Sequence, residues 1–202
     1  VFGGLWPSDY ITVLPKRGAL GRGPFAVAAT GPAMLVGRLS YTLGMQGPSI
    51  AFDTACSASL SAFQAAMYAQ THQDSKAALV LGVNVMCDSV TSQLFAAAHM
   101  TSPTGKSHTF DARANGYARG EACCCVALQP ESEGLRRVRC DAGAVRQDGK
   151  SASLTAPNGT AQQALIRAAL SSAGRLSRGT FVLEAHGTGT SLGDPIEARA
   201  MC

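Results

Sequence analysis

Residues 49–60, Ser49-Ile50-Ala51-Phe52-Asp53-Thr54-Ala55-Cys56-Ser57-Ala58-Ser59-Leu60, decide the fold. Ser49 to Asp53 is a short apolar run ending on a polar residue, the pattern of a buried strand. From Ser57 to Gln70 the period changes, with Leu60, Phe63, Met67 and a row of alanines recurring at helical spacing. A strand running directly into a helix is the elementary unit of an α/β sheet. Cys56 stands at the corner between the two. There the unpaired amides of a helix start and the positive end of its dipole favour thiolate over thiol. Its small neighbours Ala55, Ser57, Ala58 and Ser59 permit a tight turn and close approach of a substrate. Cys56 is therefore a candidate nucleophile, set against the plainer reading of a small buried hydrophobe.

The same alternation continues along the chain. Ala77 to Val85 and Ala122 to Leu128 read as buried strands, and Leu135 to Val145 as a strand half exposed on one side. Ala161 to Ala173 is an amphipathic helix, with Thr160 expected as its N-cap and Gly174 as its stop. Phe181 to Ala185 reads as a further strand. Asp194, Pro195 and Glu197 are expected as N-cap, first helical residue and N3 of a final helix. The polar loop from Thr101 to Gly120 is long enough to suggest a functional or supporting role. Consecutive Cys123, Cys124 and Cys125 alternate faces of a strand, so they are expected in the core and not as ligands of one metal.

His186 lies at the end of a predicted strand, in Glu184-Ala185-His186-Gly187-Thr188-Gly189-Thr190-Ser191-Leu192-Gly193-Asp194-Pro195. In open α/β sheets ligands bind beyond the carboxyl ends of strands, so an imidazole there can meet a thiolate from another strand end. A satisfied core histidine fits the same local pattern. Other chemistries are disfavoured. Gly105-Lys106-Ser107 and Gly149-Lys150-Ser151 resemble the end of a phosphate loop, but Met100 and Ala144 occupy the positions of its first glycine. A dinucleotide fingerprint and a serine-hydrolase elbow are not expected. His72, His99 and His108 sit in polar helix-end or loop contexts.

Composition bounds the class. The 202 residues are 46% hydrophobic and 15% charged, which excludes a disordered chain and supports a sizeable core. No run approaches the ~20 apolar residues that span a bilayer. Seven cysteines, an odd number without a C-x-x-C pair, encode neither a disulfide framework nor a zinc ribbon. A net charge of +4 spread along the chain gives little support for a nucleic-acid partner. An intracellular, cytoplasmic protein is expected. Val1 is not an initiator Met and Cys202 follows the opening of a new helix, so a fragment is expected too.

Taken together, DTACSASLSA around Cys56 and EAHGTGTSLGDPIEA around His186 resemble the active-site segments of β-ketoacyl synthases, the condensing domains of polyketide and fatty-acid synthases. GRLSYTLGMQGPS, TFDARANGYARGEA and QDGKSASLTAPNGTAQQALIRAAL also resemble family blocks, in order and over nearly the whole chain. The wording is closer to modular or multidomain polyketide synthases. The resemblance implies a thiolase-like α/β fold, a layered sandwich of two similar halves, here truncated at both ends. Residues 1–129 would belong to the N-terminal half with the nucleophile, and residues 130–202 would start the C-terminal half with the first active-site histidine.

The implied function is an acyltransferase that forms carbon–carbon bonds by decarboxylative Claisen condensation. Cys56 would carry the acyl chain as a thioester, its amide serving as an oxyanion donor. A malonyl-type extender on acyl carrier protein would lose carbon dioxide and attack that thioester. His186 would stabilise charge on the extender's thioester oxygen, and Thr188 and Thr190 would contact the phosphopantetheine arm. No tightly bound cofactor and no metal are implied, while the partners are acyl carrier protein and a second copy in a homodimer. A second histidine, in an Asn-Ile-Gly-His setting with a nearby lysine, belongs to the family pattern and does not occur in these residues. This stretch by itself is therefore expected not to complete condensation. Asn115, Arg146, Ala122 and Cys124 also depart from the usual residues. The alternatives are a non-elongating, transacylating ketosynthase and a structural or dimerising subunit.

Overall fold

The computed structural model describes residues 1–6, 9–16, 28, 30–130, 138–174 and 182–202. They divide into two compact units, one of residues 1–91 and 120–137 and one of residues 92–119 and 138–202.

The first unit is built on a four-stranded sheet. Its strands are β1 (Phe2–Leu5), β2 (Ile50–Phe52), β3 (Ala78–Asn84) and β4 (Ala122–Leu128), in the order β2-β1-β3-β4. β1 runs parallel to both β2 and β3, and β4 pairs antiparallel with β3. Parallel neighbours require crossovers, and the crossover elements cover the sheet on both faces. α1 (Tyr10–Lys16) and α2 (Pro32–Leu43) lie between β1 and β2, and α3 (Ala58–Thr71) lies between β2 and β3. α3 packs one face through Ala62, Ala66 and Ala69 against Phe2, Ala78 and Val80. Val36 of α2 closes the other face against Val1 and Leu81. The buried stripe of α3 is thus made of alanines, and Leu60 points away, 71% exposed.

Burial of Ala62 and Ala66 without any exposed surface lets the helix axis approach the sheet closely. Two glycines set that approach. Gly4 of β1 and Gly82 of β3 are register partners. A Cβ at Gly4 would lie 2.3 Å from the backbone nitrogen of Ser59, and one at Gly82 would lie 3.2 Å from the Ser59 Cβ. The first turn of α3 therefore rests directly on a glycine floor.

α4 (Val90–Ala97) leads out of the first unit. The second unit contains α5 (Gly159–Ala173) and α6 (Gly193–Met201), which pack on one another. Gly174 ends α5 as expected, but the N-cap is Asn158, whose side-chain oxygen accepts from the amides of Thr160 and Ala161. Thr160 is thereby the second helical residue and not the cap. α6 starts at Gly193 with Leu192 at the cap position, so Asp194 and Pro195 lie inside its first turn.

Two expected strands do not form among the described residues. Residues 138–145 and 182–185 have no ladder partner among the described residues, and Val138 and Val182 are 91% and 93% exposed. Residues 135–137 and 181 of those expectations lie outside the described residues. An apolar run becomes a strand only when a neighbouring backbone pairs with it. Cys123, Cys124 and Cys125 are exposed as well, not core, on β4, an outer strand of the sheet. No described helix is long and apolar enough to cross a membrane.

Candidate active site

Cys56 belongs to the first unit. After β2 the chain passes Asp53 and Thr54 and turns through a single 3-10 turn, Ala55–Ser57, into α3. Ala55 takes φ of +50°, a left-handed backbone that a residue with a Cβ rarely adopts. Hydroxyls hold this corner together. Ser57 Oγ donates to the Thr54 carbonyl at 2.8 Å and to Thr54 Oγ1 at 3.0 Å, and Thr54 Oγ1 lies 3.1 Å from Ser61 Oγ. The Cys56 residue emerges exposed from the strained turn. A strained residue next to an exposed thiol at a helix start is the arrangement in which a nucleophile is presented to substrate.

His186, Thr188 and Thr190 belong to the second unit and share one loop. Two carboxylates from one face of α6 hold its backbone. Glu197 accepts from the His186 amide at 2.6 Å through Oε1 and from the Gly187 amide at 2.8 Å through Oε2. Asp194, 3% exposed, accepts through Oδ1 from the amides of Gly189 at 3.0 Å and Thr190 at 3.3 Å. Its Oδ2 accepts from the Phe110 amide at 2.7 Å. Hydrogen bonds from amides to a charged acceptor are among the stronger protein hydrogen bonds, so this grip is firm. Gly187 and Gly189 both take positive φ, +54° and +74°, which lets the loop turn its amides toward the two carboxylates.

The threonines are tied to each other and to α6. Thr188 Oγ1 and Thr190 Oγ1 are 3.1 Å apart, and Thr190 Oγ1 accepts from the Gly193 amide at 3.1 Å. Both threonines are half-buried.

The polar loop expected to play a supporting part does so within this unit. Gly116 donates to the Gly189 carbonyl at 2.9 Å, and Thr109 Oγ1 donates to the Gly187 carbonyl at 2.6 Å. In the same loop Arg113 bonds both carboxylate oxygens of Asp111 and holds that carboxyl well below the usual carboxylate range. A cavity of about 380 Å³ opens between Phe110, Ala114, Thr190 and Pro195.

Sequence reasoning passed over three groups. Glu197 and Asp194 were legible only as expected caps of α6, whereas they serve the histidine loop. Gly4 and Gly82 carry no chemical signal and show their purpose only in the packing. Gly189-Thr190-Ser191-Leu192-Gly193 also spells G-x-S-x-G, against the expectation that no such elbow occurs. That pattern needs a strand-to-helix elbow, and the residues before it form no strand, so Ser191 is not presented as a nucleophile. Among the described residues no group of three or more His, Cys, Asp or Glu is placed to hold a metal.

Comparison with known proteins gives a consistent picture. Residues 1–134 match the family model "Beta-ketoacyl synthase, N-terminal domain" and residues 138–202 match "Beta-ketoacyl synthase, C-terminal domain". The highly reducing polyketide synthase alnA of Emericella nidulans is 42% identical over the whole of this chain. The spectinabilin polyketide synthase system protein NorC of Streptomyces orinoci is 39% identical, again over the whole of it. The chain spans only 8% and 9% of those two proteins. Among solved structures, an oxazolomycin ketosynthase domain of Streptomyces albus superposes with a TM-score of 0.85 at 32% identity, covering 100% of this chain and 37% of its own. The ketosynthase from module 6 of the bacillaene synthase of Bacillus subtilis gives 0.85 at 29% identity, covering 99% and 34%.

Proposed function

The chain belongs to the β-ketoacyl synthase family and has the thiolase-like fold of ketosynthase domains, and from that membership we propose that its two units carry the nucleophile and the first histidine of a polyketide-type condensing enzyme. Along the chain, residues 1–129 contribute the N-terminal half and residues 130–202 begin the C-terminal half, a division distinct from the two compact units, since residues 92–119 fall in the second unit. The observation that carries this reading is Cys56 on its exposed, strained corner above the glycine floor.

The Cys56 thiolate attacks an acyl thioester carried on a phosphopantetheine arm, forms the acyl-Cys56 thioester and releases the carrier thiolate, which takes a proton. A malonyl-type thioester on acyl carrier protein then loses its carboxylate as carbon dioxide. The electron pair left behind, delocalised as an enolate, attacks the carbonyl of acyl-Cys56. A carbon–carbon bond forms, the Cys56 sulfur leaves as thiolate, and the product is a β-ketoacyl thioester on the carrier. His186 donates a hydrogen bond to the extender's thioester oxygen while negative charge develops there, a stabilisation worth about 10²–10³ in rate for one well-placed donor. Glu197 and Asp194 keep that donor in place by fixing the backbone on which it stands. Thr188 and Thr190 offer hydroxyls to the phosphopantetheine arm. Acyl carrier protein is the partner, and the domain works as a homodimer in the cytoplasm.

The test is made on the complete condensing protein. Supplied with an acyl thioester and malonyl-loaded acyl carrier protein, it is expected to release carbon dioxide and yield the β-ketoacyl thioester in equal amounts. Acyl loading without any chain extension would instead favour a transacylating, non-elongating domain.

A further inference from the structure

The loop that carries His186 is gripped from two sides, and only one of them has a place in the reading above. On the amide side, Glu197 takes the N–H groups of His186 and Gly187. On the carbonyl side, the Gly187 oxygen receives the hydroxyl of Thr109 at 2.6 Å. The approach is close in both polar and apolar terms, since a Cβ on Gly187 would lie 2.7 Å from the Thr109 Cγ2 methyl. Thr109 is itself anchored through the next residue. Phe110 takes φ of +54° and gives its amide to Asp194, the carboxylate that also holds Gly189 and Thr190.

We propose that Thr109 is a positioning residue for His186: its hydroxyl locks the 187–188 peptide, one beyond the histidine's own, and its methyl fills the space left by Gly187. This rests on the assignment of His186 to decarboxylation and adds a residue to that step. With the Thr109 donor removed, the Gly187 carbonyl loses its bond, and the 187–188 peptide gains freedom to rotate about its flanking torsions. The imidazole then spends less time in the geometry that meets the developing oxyanion, and small misplacements of such a group lower rate sharply. Thr109 is exposed and lies outside the first unit, so the loading of Cys56 does not depend on it.

The experiment compares Thr109→Val, which keeps the methyl and removes the donor, with Thr109→Ser, which keeps the donor. Both are made in the complete condensing protein, beside His186→Ala and the wild type. Two rates are read: decarboxylation of a malonyl-pantetheine thioester, and acylation of Cys56 by mass. Thr109→Val is expected to lower kcat for decarboxylation about five- to tenfold, the size of one lost hydrogen bond expressed as rate, with KM unchanged. Thr109→Ser is expected to restore most of it, and acylation is expected to be the same in both. An undiminished kcat in Thr109→Val beside a collapsed one in His186→Ala overturns the proposal alone. Equal losses in the Val and Ser variants, or a parallel loss of acylation, overturn it too. A full rate in His186→Ala removes the histidine assignment and the proposal with it.

Discussion

Around Cys56 the chain is fixed by close packing of very small residues. Gly4 and Gly82 form a floor, Ala58, Ala62 and Ala66 rest on the sheet, and the positive φ of Ala55 sits at the start of that closely packed helix. Around His186 there is no sheet among the described residues. Its loop keeps its shape through carboxylates and a hydroxyl that bond backbone amides and carbonyls one by one. The difference fits the tasks proposed for the two groups. A nucleophile needs a rigid exposed platform, whereas a hydrogen-bond donor for a transient oxyanion needs its angle set finely.

The largest expected effect strikes the packed region. Gly4→Val places side-chain atoms where the backbone of Ala58 and Ser59 already lies, and is expected to destabilise the first unit by about 3 kcal/mol or more in urea denaturation. Gly37→Ala, with nothing within 4 Å of its new Cβ inside α2, serves as the control and is expected to be neutral or up to about 1 kcal/mol stabilising. If the two variants behaved alike, close packing would not be what holds the Cys56 corner.

That contrast also explains what could be read in advance. The strand, corner and helix around Cys56 were legible because an apolar run gives way there to helical spacing, although the packed face is alanine and not Leu60. β4 matched its expected ends but lies exposed, not buried. Phe2–Leu5 was not legible, since Gly3 and Gly4 interrupt any strand pattern although the strand is paired on both sides. In the second region periodicity misled, and the apolar runs at 138–145 and 182–185 form no ladder among the described residues. The polar grip on His186 depends on Asp194, Glu197 and Thr109 converging from separate segments. Nothing in the local pattern of any one of them announces the bond it makes.

Next in size is Asp194→Ala, which leaves the amides of Gly189, Thr190 and Phe110, the first buried and the others part-buried, without their common acceptor. It is expected to cost about 2–3 kcal/mol, and hydrogen exchange should quicken at those amides while β1 and β3 stay protected. Faster exchange spread evenly over both units would erase the distinction between packed and polar regions. The smallest effect concerns Asp111. Arg113 lowers its folded pKa below the ordinary 3.8, so its contribution to stability is present above that value and is lost as pH falls below it. Wild type should therefore lose a modest advantage over Asp111→Asn on acidification below about pH 4. The pair is exposed, which keeps the effect small, and a difference that grew toward low pH would have the wrong sign.

Intact-protein mass spectrometry separates the two tasks. The complete condensing protein, its Cys56→Ala variant and its His186→Ala variant are each incubated with an acyl-pantetheine thioester. One acyl adduct is expected on wild type and on His186→Ala, and none on Cys56→Ala. An adduct that persists undiminished on Cys56→Ala would remove Cys56 as the nucleophile.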